Sequence, residues 1–159
     1  MNKTYLLLGC NIGNREQKLL QAKKLIEKNI GKIIRQSKLY QTAAWGKTDQ
    51  PHFLNQVIIV ETDLAPEKLM QIILLTEKKM GRIRTIKNAS RIIDIDILFF
   101  NKEIVQQKDL IIPHPEIQNR RFVLTPLNEL SPNLKHPIIK KNIHQLLKTC
   151  KDKLDVKKF

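Results

Sequence analysis

The chain has little of what marks secreted, membrane-spanning or thiolate-metal proteins. It contains only two cysteines, Cys10 and Cys150, far apart and outside any CxxC spacing, so neither a disulfide framework nor a cysteine metal site is indicated. No apolar run approaches the roughly 20 residues that a membrane helix needs. The first such run, residues 5–8, is too short for a secretory signal and is typical of a first strand. We therefore predict one domain over residues 1–159, a monomer in a reducing, cytoplasmic compartment and without membrane contact.

Acidic residues are also scarce, with 15 aspartates and glutamates against 29 lysines and arginines, which gives a net charge of +14. Binding of nucleic acid or of phosphate groups is one interpretation of this excess. Compositional drift is the other, because the lysines are scattered along predicted helix faces, and we favour it for most of them. Arginine is rare by comparison. Four of the seven arginines lie in or near the motifs described below: Arg82, Arg84, Arg91 and Arg120.

The order of apolar patterns predicts an α+β fold. Period-two or continuous apolar runs indicate strands over residues 5–9, 32–41, 53–62 and 91–100. Helical spacing and end signals indicate helices from Asn14 to Gly31 and from Pro66 to Met80. This order is that of the ferredoxin-like βαββαβ core. An additional C-terminal extended segment near 110–112 and helices near 119–130 and 141–149 are expected to follow.

Asp94 and Asp96 are the most informative residues of the chain. Because side chains alternate along a strand, the two carboxylates are predicted to lie on one face, about 7 Å apart, while the isoleucines between them face a core. Two aspartates on one strand face repel each other unless a cation lies between them. For this pattern alone a solvated strand face is the alternative, but apolar residues flank the pair on the same face. Magnesium is the predicted metal, since no histidine or cysteine lies at a ligand spacing here.

A basic segment, residues 82–91, directly precedes this strand. Magnesium held by carboxylates usually accompanies a phosphate substrate, and phosphate charge is commonly met by arginine and lysine. The segment lacks apolar periodicity, so we interpret it as a loop that closes over phosphates and excludes water. A solvated loop is the alternative. The chain has no GxxxxGK[ST] motif and is therefore not a P-loop protein.

Residues 87–98 resemble the signature of the 6-hydroxymethyl-7,8-dihydropterin pyrophosphokinases. Further blocks agree with that family in order and spacing: residues 9–11, 40–42 with 49–55, and 113–115 with 119–124. The resemblance implies that ATP transfers its two terminal phosphates as a unit to the pterin hydroxyl, leaving AMP, on the route to folate. It also implies that Asp94 and Asp96 hold two magnesium ions between them.

The resemblance implies further site residues. Catalytic roles fall to Arg82 and Arg91. Pterin-binding roles fall to Thr42, Ala43, Trp45, Phe53, Asn55 and Phe122. ATP-binding roles fall to Glu77, Arg84, His114 and Arg120. For the two phenylalanines a place in the core is the alternative, and for His114 a structural role in a turn. We expect the segment 82–91 to be mobile without ligands and ordered when ATP and pterin are bound.

The chain departs from the family pattern in this loop, with Asn88 where many relatives carry an aromatic residue and Ser90 where proline is common. An enzyme-like scaffold that has lost activity is therefore a competing interpretation. The other is a basic nucleic-acid-binding module with a ferredoxin-like fold. The chain lacks the aromatic sheet pattern of such RNA-binding modules, and carboxylates at 94 and 96 would repel a phosphate backbone unless metal intervened. We therefore predict small-molecule partners and no nucleic acid.

Overall fold

The computed structural model describes residues 1–43, 52–82 and 92–159. Along these ranges the chain forms, in order, β1 (Asn2–Cys10), α1 (Arg15–Asn29), β2 (Gly31–Gln36), β3 (Tyr40–Thr42), β4 (Phe53–Thr62), α2 (Pro66–Lys79), β5 (Asp94–Phe100), β6 (Val105–Gln107), β7 (Leu110–Ile112), a 3₁₀ helix (Ile117–Asn119), α3 (Arg121–Leu130), α4 (Ile143–Thr149) and β8 (Val156–Lys158). In the described ranges, no helix is long and apolar enough to cross a membrane.

The main sheet has the strand order β5-β1-β4-β3-β8, and β2 pairs with β4 beside β3. All of these pairs are antiparallel. β4 thus lies between β1 and β2, the two strands that α1 connects, which is the split βαβ arrangement. The predicted α+β class and the predicted order of the ferredoxin-like core are confirmed.

Side chains of the sheet alternate between two cores. In β1, Leu6 and Leu8 enter the core that α1 and α2 cover, which we call the first core. Tyr5 and Leu7 enter the core that α3 and α4 cover, the second core. Because helices cover both faces of the sheet, a strand residue reaches a ligand only where those helices end.

One predicted strand, residues 32–41, is two strands in the structure, β2 and β3. The break begins at Ser37, whose hydroxyl accepts a hydrogen bond from the backbone N–H of Val57 at 3.0 Å. Its backbone carbonyl accepts another, from the side chain of Gln56 at 2.7 Å. Side-chain bonds of this kind replace regular ladder bonds and end a strand locally.

The strand that carries the two aspartates also differs in its extent. It was predicted over 91–100, but β5 begins at Asp94. Its pairing with β1 is regular from Asp94 to Ile97, after which Leu98 forms a bulge opposite the junction of Tyr5 and Leu6. The predicted alternation therefore holds over the stretch that carries both carboxylates.

Candidate active site

Three neighbouring strands place Asp94, Gly9 and Asn55 side by side. Gly9 of β1 pairs with Asp94 of β5 on one side and with Asn55 of β4 on the other. Directly paired residues in antiparallel strands face the same side of the sheet. Asp96 pairs with Leu7, which belongs to the second core. The two aspartates and Asn55 therefore lie on the side that α3 and α4 cover, at the strand ends.

Glu77, near the end of α2, joins Arg82 to the beginning of β5. Its Oε2 accepts hydrogen bonds from Arg82 Nη1 at 2.7 Å and from the backbone N–H of Ile95 at 2.8 Å. The same Nη1 lies 2.8 Å from Asp94 Oδ1. The side chains of Glu77 and Arg82 are only 2% and 7% exposed, so each depends on the other to balance its buried charge. This contact brings Arg82 to the aspartate pair.

Asp96 lies in a strongly acidic environment. Burial above all, and then the charges of Asp94 and Glu77, raise its pKa to about 8, although the charges of Arg120 and Arg82 act to lower it. The arginines therefore do not fully offset the cost of ionising this carboxylate, and a divalent cation beside it would favour the charged form.

The donor chemistry of the aspartate pair fits magnesium. In the ranges that the structure describes, no three His, Cys, Asp or Glu side chains are arranged as a metal site. One or two carboxylates together with substrate phosphates are, however, the usual ligands of Mg²⁺ in phosphate-transferring enzymes. A rigid strand holds both carboxylates on one face, as precise metal geometry requires.

His114 lies directly beside β5, because its backbone N–H donates to the carbonyl of Leu98 at 3.0 Å. Its Nδ1 accepts a hydrogen bond from the N–H of Glu116 at 3.1 Å. Burial lowers the pKa of His114, and the charge of Arg120 lowers it further against the opposite effect of Asp94 and Glu116. The imidazole is therefore neutral near pH 7, with its proton on Nε2, where it can donate to an anion.

Arg120 lies near His114 and Asp96 and also near an aromatic ring. Its charge acts on both His114 and Asp96, and its guanidinium carbon lies 5.9 Å from the centroid of the Phe122 ring. Phe122 is at the start of α3 and packs, partly buried, against the second core. An anionic group and a flat ring can therefore be bound side by side here.

Asn55 is 3% exposed, and its Nδ2 has no hydrogen-bond partner among the described residues. A methyl group at Gly9 would lie 2.8 Å from Asn55 Oδ1 and 3.8 Å from the Phe53 ring. The glycine thus leaves room for the amide of Asn55 at the centre of the sheet. A buried amide donor without a partner is costly, so a ligand that accepts from it is expected to bind well.

The remaining predicted site residues fall into two groups. Thr42 and Phe53 are paired across β3 and β4, next to Asn55, and Ala43 follows Thr42. Three predicted residues, Trp45, Arg84 and Arg91, lie outside the described residues, as does nearly all of the basic loop.

Sequence reasoning assigned no role to Gly9, although it lies in one of the matching blocks. The available signal was a glycine at the end of an apolar strand, which often marks a close approach of another group.

Comparisons with known proteins identify relatives of this chain. The family described as 7,8-dihydro-6-hydroxymethylpterin-pyrophosphokinase matches residues 5–132. The chain is 39% identical over 145 residues to the 2-amino-4-hydroxy-6-hydroxymethyldihydropteridine pyrophosphokinase of Aquifex aeolicus, covering 91% of this chain and 90% of that protein. It is 38% identical over 130 residues to the Bacillus subtilis protein of the same name, covering 81% and 78%.

Longer proteins match as well. The folic acid synthesis protein fol1 of Pneumocystis carinii is 42% identical over 135 residues, covering 84% of this chain, but the chain spans only 18% of that protein. The crystal structure of Plasmodium falciparum HPPK-DHPS aligns with a TM-score of 0.76 at 22% identity, covering 93% of this chain and 43% of that chain. At this level of identity the structural match establishes a shared fold.

Proposed function

Because the chain belongs to the 7,8-dihydro-6-hydroxymethylpterin-pyrophosphokinase family, we propose that it transfers pyrophosphate from ATP to 6-hydroxymethyl-7,8-dihydropterin at the aspartate pair of β5. The products are AMP and the pterin diphosphate, a step of folate biosynthesis. The observation that carries the proposal is the placement of Asp94 and Asp96 beside Arg82 on the sheet face that also holds Asn55. The nucleic-acid-binding alternative finds no support in these comparisons.

Asp94 and Asp96 are the proposed ligands of two magnesium ions. Magnesium held by these carboxylates would supply positive charge beside the phosphate oxygens, which favours attack on the β-phosphorus. The protein contributes position, since both carboxylates project from a strand that β1 holds in place. Glu77 accepts the N–H of Ile95 and so fixes the strand between the two ligands.

Arg82, His114 and Arg120 are the proposed phosphate-binding residues on the described side of the cleft. Arg82 already contacts Asp94, so it lies next to any phosphate that shares a cation with that carboxylate. Neutral His114 can donate from Nε2 without adding charge. Glu77 contributes to this site by holding Arg82. Arg84 and Arg91 remain predictions of the family resemblance.

The proposed pterin slot is formed by Asn55 and the flat side chains near it. The amide of Asn55 offers both a donor and an acceptor, which suits the amide-like edge of a pterin. Phe53 and Phe122 would stack on the two faces of the ring. Thr42, Ala43 and Trp45 complete the proposed slot.

We also propose that the protein acts as a monomer in the cytoplasm. Cys10 and Cys150 are both free and buried, as is usual in a reducing compartment.

The test is to incubate the protein with Mg-ATP and 6-hydroxymethyl-7,8-dihydropterin and to measure AMP and the pterin diphosphate. Equal amounts of both products are expected, and none without magnesium. Binding of both substrates without product would identify an inactive scaffold. Binding of random RNA that falls steeply with salt, without binding of ATP, would favour the nucleic-acid alternative.

A further inference from the structure

Residues 150–159 bond to Arg121, the neighbour of Phe122, and to Thr42, two positions at the proposed pterin slot, although the family match ends at residue 132. We call residues 150–159 the C-terminal strap. At one end of the strap Arg121, the first residue of α3, donates from Nε to the carbonyl of Asp152 at 2.9 Å and from Nη2 to the carbonyl of Cys150 at 3.2 Å. Phe122, one wall of the slot, is the next residue of α3.

Asp152 also accepts a hydrogen bond from the free backbone N–H at the start of α3. Its Oδ2 accepts the backbone N–H of Arg121 at 3.0 Å, and its Oδ1 accepts the N–H of Leu154 at 2.9 Å. The cap residue of α3, Arg120, makes no side-chain capping bond, and the first turn contains no acidic residue. The strap therefore supplies the carboxylate that a helix N-terminus favours.

The other end of the strap pairs with β3, which lies beside Phe53, the residue assigned to the opposite wall. Val156, in β8, pairs with Thr42 of β3, and the hydroxyl of Thr42 donates to the carbonyl of Asp155 at 3.1 Å. The backbone N–H of Phe159 donates to the carbonyl of Leu39 at 2.9 Å. Its ring lies 5.5 Å from the guanidinium of Arg15.

Arg15 itself binds on both sides of the segment that separates β3 from β4. Its Nη1 donates to the side chain of Gln41 at 3.3 Å and to the carbonyl of His52 at 2.8 Å. Through Phe159 the strap thus contacts Arg15, which bonds both to β3 and to the residue that precedes β4.

We propose that the C-terminal strap positions the pterin slot by fixing the start of α3, which carries Phe122, relative to β3, whose Thr42 pairs directly with Phe53 on the other side of the slot. This inference rests on the proposed function, because the two walls are those assigned to the pterin. A flat ring between two walls needs a defined separation, and a small displacement of one wall loses stacking on that side. Asp152 and Arg121 are positioning residues in this arrangement, since neither is assigned a contact with substrate.

The test compares Asp152→Ala with Asp155→Ala. Both remove a carboxylate from the strap, but the side chain of Asp155 is 74% exposed and pairs with the equally exposed Lys157. We expect Asp152→Ala to raise the KM for pterin about tenfold, the effect of a lost contact of ordinary strength, and to change the KM for ATP less than about twofold. Asp155→Ala should match the wild type in both constants.

A second variant at the contact between the strap and α3 distinguishes an effect on the pterin slot from an effect on folding. Arg121→Leu removes the side-chain hydrogen bonds to the strap but retains the Asp152 carboxylate, so it carries the test if Asp152→Ala does not fold. Its KM for pterin should also rise, and the double variant should show less than the sum of the two effects, because both act through one contact. Asp152→Asn, which keeps an acceptor oxygen, should recover part of the affinity.

The KM values for pterin and for ATP distinguish positioning from a general loss of folded protein. A loss of folded protein lowers the apparent kcat but leaves the KM for pterin unchanged, so an unchanged KM in both Asp152→Ala and Arg121→Leu would overturn it. Equal rises for ATP and pterin would overturn it too. Failure of the wild-type chain to bind pterin at all would instead overturn the proposed function, and this inference with it.

Discussion

Arg82 and Asp94 form an ion pair in which Nη1 lies 2.8 Å from Oδ1. The same nitrogen lies 2.7 Å from Glu77 Oε2, so two carboxylates share one guanidinium. The charges of these three groups sum to minus one, and Asp96 adds a further acid nearby. A cation that binds Asp94 would therefore compete with Arg82 and free it to meet phosphate charge. The ion pair couples metal binding to the placement of the arginine.

The aspartate pair is expected to be essential for turnover. Asp94→Asn and Asp96→Asn keep the size of each side chain but remove the charge that holds the cations. We expect either change to lower the rate of AMP formation by at least about 10²-fold at saturating magnesium. Asp63→Asn, a change at an exposed site away from β5, is the control. A rate near that of the wild type in either β5 variant would contradict the assignment.

Asn55 is expected to determine affinity for the pterin alone. Asn55→Ala should weaken pterin binding by about 1–3 kcal/mol, because polar groups of the buried ligand lose their partners. Gly9→Ala should have a similar effect, since its methyl group would displace the Asn55 amide. Calorimetry with an ATP analogue and with pterin separates the two ligands. Equal losses for both would show that Asn55 is structural.

Glu77 is expected to be important for stability as well as for the site. Glu77→Ala leaves Arg82 and the N–H of Ile95 without this acceptor, and breaking a buried charge pair costs about 3–5 kcal/mol. Glu77→Gln retains an oxygen for Ile95 and should cost less. Urea unfolding of the metal-free protein measures both. Equal losses in the two variants would show that the hydrogen bond to Ile95 contributes little.

Asp96 is expected to make the metal-free protein less stable at high pH. Its pKa is raised from 3.8 to about 8 in the folded state, so the folded protein holds this proton more tightly than the unfolded chain. The resulting stability is complete below about pH 4 and is lost as the pH rises towards 8. Asp96→Asn cannot lose a proton, so its Tm should exceed that of the wild type at pH 8.

Thermal unfolding in chelator between pH 5 and pH 8.5 measures this effect. The difference in Tm between Asp96→Asn and the wild type should widen as the pH rises. Parallel curves would show that Asp96 is not the group responsible. Addition of Mg-ATP should reverse the order of the two proteins at pH 8, because only the wild type retains both metal ligands.

Local patterns were sufficient for the elements of the βαββαβ core, apart from the break between β2 and β3, and for the aspartate pair. The period-two alternation of β5 depends only on neighbouring residues, so the common face of Asp94 and Asp96 could be predicted and agrees with the pairing of the strands. The same holds for the two helices that begin and end with clear signals.

Long-range pairing limited the rest of the prediction. That Gly9 lies between Asp94 and Asn55 follows from the register of three strands that are distant in sequence, and no local pattern fixes that register. The strand break at Ser37 depends on hydrogen bonds to Gln56 and Val57 in the neighbouring strand. β8 is short and strongly basic, and its partner β3 lies more than 100 positions earlier in the chain.

The alternation in β5 has a consequence for folding as well as for binding. If β5 slipped by one residue against β1, Asp94 and Asp96 would turn into the first core, and Ile95 and Ile97 would turn out of it. Burial of two unpaired carboxylates among leucines costs several kcal/mol, so the slipped sheet would be far less stable than the native one. The two acids therefore help to select the strand register. A sheet in which β5 is shifted by one residue would be too unstable to persist, so the folded molecules have both carboxylates on the side of the substrate site.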